Sequence, residues 1–387
     1  MEKKKIIRVT TADISLDLLL KGQLRFLNEH FEVVGLSADT GLLQKVAKRE
    51  GIRVIEVPMH REIALGSDWK CLWQLRRIFK QEKPDIVHSN TPKGSLLAMM
   101  AAKMAGVKHR IYLVTGLRYQ GATGLMRWVL KSMERLSCWC ATKVIPEGNG
   151  VKQTLIADHV TKKPLEVIHY GNINGLDTSY FSPEEAAKVK GDRAEMRQQL
   201  RLEEDDFVFI FIGRIVGDKG MNELAEVMRD LSKENKQIKL ILVGPFETEL
   251  DPLNEGNEQF FRESENVRYV GYQADVRPYL LAADALAFPS YREGFPNVVL
   301  QAGAMDLPSV VTDINGCNEV IEEGCNGLII PPRDAVALKK AMLQMVEKRE
   351  ETKAMARDAR KVIIERFEQH EVWQALLERY RRMVGVD

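Results

Sequence analysis

No stretch of this 387-residue chain is apolar enough to cross a bilayer. A span needs about 18 nearly uninterrupted apolar residues, and the nearest candidate, from Ser95 to Val107, is short and broken by Lys103. The opening MEKKKIIRV is basic and returns to charge at Arg8, so it lacks the apolar core of a secretory leader. Cysteine is scarce. Cys71, Cys138, Cys140, Cys317 and Cys325 are odd in number and form no CxxC pair, which argues against a disulfide framework or a zinc cage and for free thiols in a reducing compartment. An excess of one charge is also missing, with 56 Lys and Arg against 55 Asp and Glu. Together with 45% hydrophobic residues, that balance excludes a disordered chain. Short-period repeats and low-complexity tracts are absent too. The expectation is a cytosolic, globular protein of two or three units.

What is present is strand–helix alternation. In the second half, short β-branched runs recur at 207–212, 238–243, 267–271, 285–289, 309–312 and 327–330, with helical patterns between them. Continuous apolar strands separated by helices predict a parallel sheet covered on both faces. The first half repeats the scheme more loosely in IIRVT, FEVVGLS, IRVIEV, DIVHS, RIYLV, KVIPE and LEVIHY. Two doubly wound α/β domains facing each other follow. The charged segment 177–205 reads as the linker with an exposed helix. Near the end, Val372, Trp373, Leu376, Leu377 and Tyr380 recur at helical spacing, which predicts a packed terminal helix.

The near-zero net charge hides an asymmetry. Residues 91–145 hold nine cations (Lys93, Lys103, Lys108, Arg110, Arg118, Arg127, Lys131, Arg135, Lys143) and one carboxylate, Glu134. A local field of that size attracts phosphate-rich or anionic-lipid surfaces.

Two segments carry candidate chemistry. In FIFIGRIVGDKGMNELAEVM, a strand ends at Gly213, a loop holds Arg214 and Lys219, and a helix follows. Two cations beside a helix N-terminus suit a diphosphate, although this segment alone reads more readily as two ordinary solvated loop charges. In FPSYREGFPNVVLQAGAMDLPSVVTD, Glu293 and Gly294 precede a helix beginning near Pro296. Glu293 is either a carboxylate favoured by the helix dipole or, with the N–H groups of Gly294 and Phe295, part of a ligand site at the carboxyl ends of the strands. Gln301 lies eight residues further on, about 12 Å along a helix.

GRIVGDKG followed by EGFPNVVLQAGAMDLPSVVTD resembles the donor-site signature of the retaining glycosyltransferases of family 4. DIVHSNTPKG, VIHYGNINGLD and VGYQADVRPYLLAADALAFPS fit the same family, so the resemblance spans essentially the whole chain. It implies the GT-B fold: two facing Rossmann-like doubly wound domains, with the C-terminal helix packing back toward the first. Residues 1–180 with 368–387 would form the acceptor-binding domain, and 181–367 the nucleotide-sugar donor domain. By the same resemblance Arg214 and Lys219 would bind the donor diphosphate and Glu293 the sugar hydroxyls. Gly213, Gly244, Tyr272, Gln273, Gly294, Phe295, Asn297 and Gln301 would complete the donor site. Gln301 stands where relatives usually carry a second glutamate, and a neutral amide still bonds a ribose diol.

The first domain departs from the family pattern. The loop TTADISLDLLLKGQ offers only Gly22 where many relatives have a glycine pair, and Thr115-Gly116-Leu117 stands where many carry a histidine. Thr115 and Arg118 are the acceptor-side candidates, with His88, which either faces a crevice or packs in the core. The implied activity is retaining transfer from a nucleotide sugar, a UDP-sugar foremost, to a glycan or lipid-diphosphate-linked acceptor of capsule or O-antigen type. No cofactor, no metal and no nucleic-acid partner are expected. The segment GLMRWVLKSMERLSCWC predicts a helix with Arg127, Lys131 and Arg135 in one stripe and Trp128 and Trp139 beside it. That face, within 124–143, either docks peripherally on an anionic inner-membrane surface or is simply a solvated basic face. A nucleotide-sugar epimerase and a non-catalytic nucleotide-sugar-binding subunit are the alternative functions.

Overall fold

The computed structural model describes residues 3–60, 64–247, 249 and 251–386. Its apolar runs become strands of two parallel sheets, each of six strands among the described residues. In the first sheet these are β1 (Lys5–Ala12), β2 (Glu32–Ala38), β3 (Arg53–Glu56), β4 (Ile86–Ser89), β5 (His109–Val114) and β6 (Lys143–Pro146), in the order β3-β2-β1-β4-β5-β6. In the second they are β7 (Phe207–Ile212), β8 (Ile238–Val243), β9 (Val267–Gly271), β10 (Ala285–Phe288), β11 (Ser309–Thr312) and β12 (Gly327–Ile330), in the order β12-β11-β10-β7-β8-β9. In each sheet the order reverses beside the first strand, at β1/β4 and at β7/β10. Crevices open there, outside the carboxyl ends of the strands, because consecutive helices depart to opposite faces.

The chain forms two compact units, Met1–Gly175 with Gln369–Asp387, and Leu176–Glu368. In the first, successive strand residues point to opposite faces. Ile7, Val9 and Val87 pack into one core layer, and Ile6, Val33, Ile86 and Ile111 into the other. The terminal helix Gln369–Val384 completes that second layer with Leu376, Leu377 and Tyr380, and its Val372 is buried too. Burial of each such side chain is worth about 1.5–3 kcal/mol. Trp373 lies against Phe26 with ring centroids 5.4 Å apart and donates its indole N–H to Asn174 at 2.7 Å. In the second unit, β7 is buried along Phe207–Phe211 in a single core with β8, β10 and β11.

Two sequence expectations are corrected. LEVIHY is not a strand, because only Leu165 bridges β6. Left-handed backbone at His169, Gly171 and Asn172 turns the chain away from the sheet edge. Nor is 177–205 a linker. It folds into helices Pro183–Lys190 and Arg193–Gln199, whose charges serve the fold. Ser182 and Asp192 accept the N–H groups of Glu185 and Glu195 at the helix starts. Arg197 is buried, bonded to Asp284 at 2.7 Å and to the carbonyls of Ala282 and Glu204. The second unit begins at Leu176, whose N–H donates to the Phe367 carbonyl at 2.8 Å near the unit's other end.

Candidate active site

β7 and β10 lie side by side in the second sheet, so the loops that follow them share the crevice at its reversal point. The loop after β7 passes through a single turn, Gly217–Lys219, and enters the helix Met221–Glu234 at Gly220. Gly220 has φ +71, and a Cβ there would sit 2.1 Å from the Pro289 carbonyl oxygen in the loop after β10. Only glycine lets the two loops approach this closely. The approach brings the Lys219 ammonium into an ion pair with the Glu293 carboxylate. Oε1 of Glu293 also accepts the Ser290 hydroxyl at 2.9 Å. Both charged side chains are more than four-fifths buried.

Further bonds brace the same two loops. The Asp218 carbonyl accepts the Tyr291 N–H at 2.9 Å, and Arg292 pairs with Asp218 at 3.0 Å. The Tyr291 hydroxyl donates to Glu223 at 2.6 Å, and burial together with that carboxylate pushes its pKa up. Beneath the Lys219–Glu293 pair, Cys317 is fully enclosed. Burial first, then the Glu293 charge, push its thiol pKa up, so it stays protonated and unreactive.

Arg214 stands apart from this pair. It is half exposed and bonds Glu247 at 3.1 Å, in the segment after β8. Gly213 and Gly244 close the ends of β7 and β8. Their N–H groups are spent on the Val243 and Gly271 carbonyls, and a Cβ on Gly244 would lie 1.8 Å from the Gly213 oxygen. Tyr272 is largely exposed after β9, and Gln273 donates to the Val270 carbonyl at 2.7 Å. Gly294 is half-buried in the loop after β10. The Phe295 ring turns into the core against Phe367, so only its backbone remains for a ligand. Asn297 starts the helix Asn297–Ala304, and Gln301 sits one turn on, its amide without a hydrogen bond among the described residues. Ser290, Glu223 and Glu247 were not singled out in the sequence. Ser290 lies within the same motif as Glu293, whereas Glu223 and Glu247 reach the site only through strand order, which the motifs alone do not carry.

In the first unit, His88 is not in a crevice. It is fully buried, its Nδ1 bonded to the Tyr380 hydroxyl, and burial reinforced by the Arg8 charge pushes its pKa well down. Thr115 donates to the Asn90 carbonyl at 2.9 Å, while Arg118 is exposed. The helix Gly124–Cys140 forms as expected, with Leu125 77%, Trp128 65% and Trp139 63% exposed. Lys131 pairs with Asp158 at 2.8 Å, and the Lys103 ammonium lies over the Trp139 ring.

Residues 192–362 match the glycosyl transferases group 1 family, and residues 23–171 match the glycosyl transferase 4-like domain. This chain is a glycosyltransferase built of a glycosyl transferase 4-like domain and a group 1 domain. The transferase reading therefore replaces the epimerase and the non-catalytic subunit. The chain is 29% identical over 381 residues to the capsular polysaccharide biosynthesis glycosyltransferase CapM of Staphylococcus aureus, covering 98% of this chain and 97% of that one. It is 28% identical over 325 residues to the Escherichia coli UDP-Gal:alpha-D-GlcNAc-diphosphoundecaprenol alpha-1,3-galactosyltransferase, covering 83% and 81%. The glycosyltransferase fold is GT-B. It superposes on Anabaena HepE, solved in complex with UDP, with a TM-score of 0.80, 19% identity, and 98% and 100% coverage. Among the described residues of this glycosyltransferase no helix is long and apolar enough to cross a membrane.

Proposed function

We propose that this glycosyltransferase moves a sugar, with retention, from a UDP-sugar to a glycan or lipid-diphosphate-linked acceptor in surface polysaccharide biosynthesis. The observation that carries this reading is the Lys219–Glu293 pair at the β7/β10 reversal, with Arg214 on the same loop after β7, paired to Glu247. A donor diphosphate competes with Glu293 for the Lys219 ammonium and with Glu247 for Arg214. Each exchange trades a carboxylate for a phosphate, so both cations stay paired throughout. Glu293, released from Lys219 but still bonded by Ser290, turns its carboxylate to the sugar hydroxyls.

In the reaction, the bond from the anomeric carbon to the diphosphate oxygen breaks and the acceptor oxygen bonds to that carbon on the same face. The acceptor proton passes to the departing diphosphate. Arg214 and Lys219 stabilise the charge that grows on the leaving group, so catalysis is electrostatic and positional and draws on no metal. Gln301 bonds the ribose diol with its neutral amide.

The acceptor side rests on the helix Gly124–Cys140. Its exposed Leu125, Met126 and Trp128, flanked by Arg127 and Arg135, suit the headgroup level of an anionic membrane. The E. coli relative's name specifies a diphosphoundecaprenol acceptor, which supports a lipid-borne substrate here.

The test is thermal stabilisation of wild type and Arg214→Ala by UDP, GDP and ADP, followed by transfer assays. A ligand at 100 times its dissociation constant adds about 2.7 kcal/mol. UDP is expected to raise the wild-type midpoint and to lose that effect in Arg214→Ala. Stabilisation by another nucleotide alone, or equal stabilisation of both proteins by UDP, refutes the assignment. Vesicles containing phosphatidylglycerol are expected to bind wild type and to release Trp128→Ala.

A further inference from the structure

Beside the exposed face of the Gly124–Cys140 helix, the first unit holds a small pocket lined by Lys93, Arg118, Tyr119, Met133, Glu134 and Ser137. Glu134 forms its floor. The residue is 6% exposed, and its Oε1 is enclosed with no hydrogen-bond partner among the described residues. A native buried polar atom without a partner carries a desolvation cost and invites an explanation.

The other groups of the pocket differ in how they are satisfied. Lys93 is 5% exposed and its ammonium pairs with Asp68 at 2.7 Å. Ser137 donates to the Met133 carbonyl at 3.0 Å. Arg118, by contrast, stands exposed at the rim and pairs with no carboxylate among the described residues. The unspent capacity is thus a guanidinium at the mouth and, at the floor, a carboxyl oxygen that donates when Glu134 is protonated. Their complement is an anion rich in acceptor oxygens, and a phosphate ester meets that description. The apolar surface is on the same helix. Trp128 and Met126 precede Glu134 by six and eight residues, so about 9 and 12 Å separate them along the axis. A ligand with a phosphate in the pocket and a hydrocarbon chain over Met126 and Trp128 spans that distance.

We propose that this pocket takes a phosphate group of an isoprenoid-diphosphate-linked acceptor, with Arg118 pairing with its charge and the Glu134 carboxyl donating to a nonbridging oxygen. The proposal rests on the lipid-linked acceptor reading above and adds the subsite. It also makes binding pH-dependent. Burial pushes the Glu134 carboxyl up to about 7, against the hydrogen bond it accepts from Tyr112 on β5. The other titratable groups facing it are Cys138 on its own helix, with a thiol pushed up by burial, and Tyr119 beyond β5, whose neighbour is Asp158. Above neutrality Glu134 loses its proton and repels the phosphate.

The experiment uses the full chain with saturating UDP, so that phosphate sites in the second unit are filled. Farnesyl diphosphate, and inorganic pyrophosphate in parallel, are titrated by calorimetry at pH 6.5 and 8. Farnesyl diphosphate is expected to bind wild type at least tenfold more tightly than pyrophosphate, and Arg118→Ala to lose at least tenfold. Wild-type affinity is expected to fall about tenfold from pH 6.5 to 8, while Glu134→Gln, an isosteric donor at both, changes far less and so controls for titration of the ligand itself. Equal affinity for the two ligands overturns the lipid assignment. Coincident wild-type, Arg118→Ala and Glu134→Gln curves overturn the pocket. Loss of phosphatidylglycerol-vesicle binding in Trp128→Ala tests the membrane surface separately, since it needs no diphosphate.

Discussion

Replacing Glu134 by Gln is expected to stabilise the first unit at alkaline pH, and the size follows from the carboxyl's surroundings. The folded state holds this acid at about 7 against an ordinary 4.5, with desolvation the leading cause. Below pH 4.5 the group is neutral folded and unfolded, and it costs nothing. Between 4.5 and 7 the folded protein keeps a proton that the unfolded chain has released, so stability falls as pH rises. Above 7 the full difference applies, on the order of 3 kcal/mol at 1.36 kcal/mol per pKa unit. Glutamine matches the neutral acid in shape and never ionises. The assay is thermal unfolding of both proteins at pH 5, 6, 7 and 8, taking the difference so that other titrating groups cancel. For a unit of this size the midpoint advantage of Glu134→Gln grows by roughly 6–12 °C from pH 5 to 8. A difference that stays flat across that range would mean that water reaches the carboxyl, and both the burial argument and the pH dependence of the phosphate subsite would fall with it.

Gly220→Ala forces a Cβ to within 2.1 Å of the Pro289 oxygen at φ +71. It is expected to cost about 1–3 kcal/mol and, by displacing Lys219, to lower the transfer rate at least tenfold in a steady-state assay. Arg197→Met strips the donors from the carbonyls of Ala282 and Glu204 and half the pairing from Asp284. Urea denaturation of the second unit should show a loss of about 3–5 kcal/mol, and a loss under 1 would refute the role given to Arg197. Tyr380→Phe removes a partner from both Arg8, bonded at 3.0 Å, and His88. The expected cost is about 1–3 kcal/mol, read as faster hydrogen exchange in β1 and β4 with the second unit unchanged.

Strands buried on both faces were legible almost to the residue. β7, β8, β11 and β12 coincide with apolar runs in the sequence, because a parallel strand covered by helices has no reason to alternate; the edge strand β9 coincides as well, although only Val267 in it is buried. LEVIHY carries the same composition and fails, since a run becomes a strand only beside a partner edge, and the turn through His169 and Gly171 removes it from one. The acidic and basic residues of 177–205 looked like solvent-facing linker. Charge at a helix cap and charge under a sheet are spelled alike, and Arg197 is distinguished only by carbonyls that other segments supply. The same limit applies to His88, where strand alternation leaves the face undecided until Tyr380 arrives from the far end of the chain. Lys219 and Glu293 were visible as motif residues, but their contact is a product of sheet order. Glu134 was countable as the lone carboxylate among nine cations. That it lies beneath the helix, facing Tyr112, depends on how the helix turns its faces.

The buried network at Arg8 has a bearing on how the molecule is made. Arg8, in the first strand, donates to Gln23, Asn90 and Tyr380, and Tyr380 comes only seven residues before the chain's last residue. During synthesis the N-terminal sheet therefore emerges first yet waits, its guanidinium and the apolar layer around Ile6 and Ile111 uncovered, until the whole intervening unit has left the ribosome. Leu176–Glu368 holds all of its own core and is free to fold while the rest is still incomplete. The usual order, N-terminal domain first, is inverted. A nascent chain arrested after Glu368 should resist protease across the second unit while β1 to β6 remain open to cleavage, and addition of the final helix should close them.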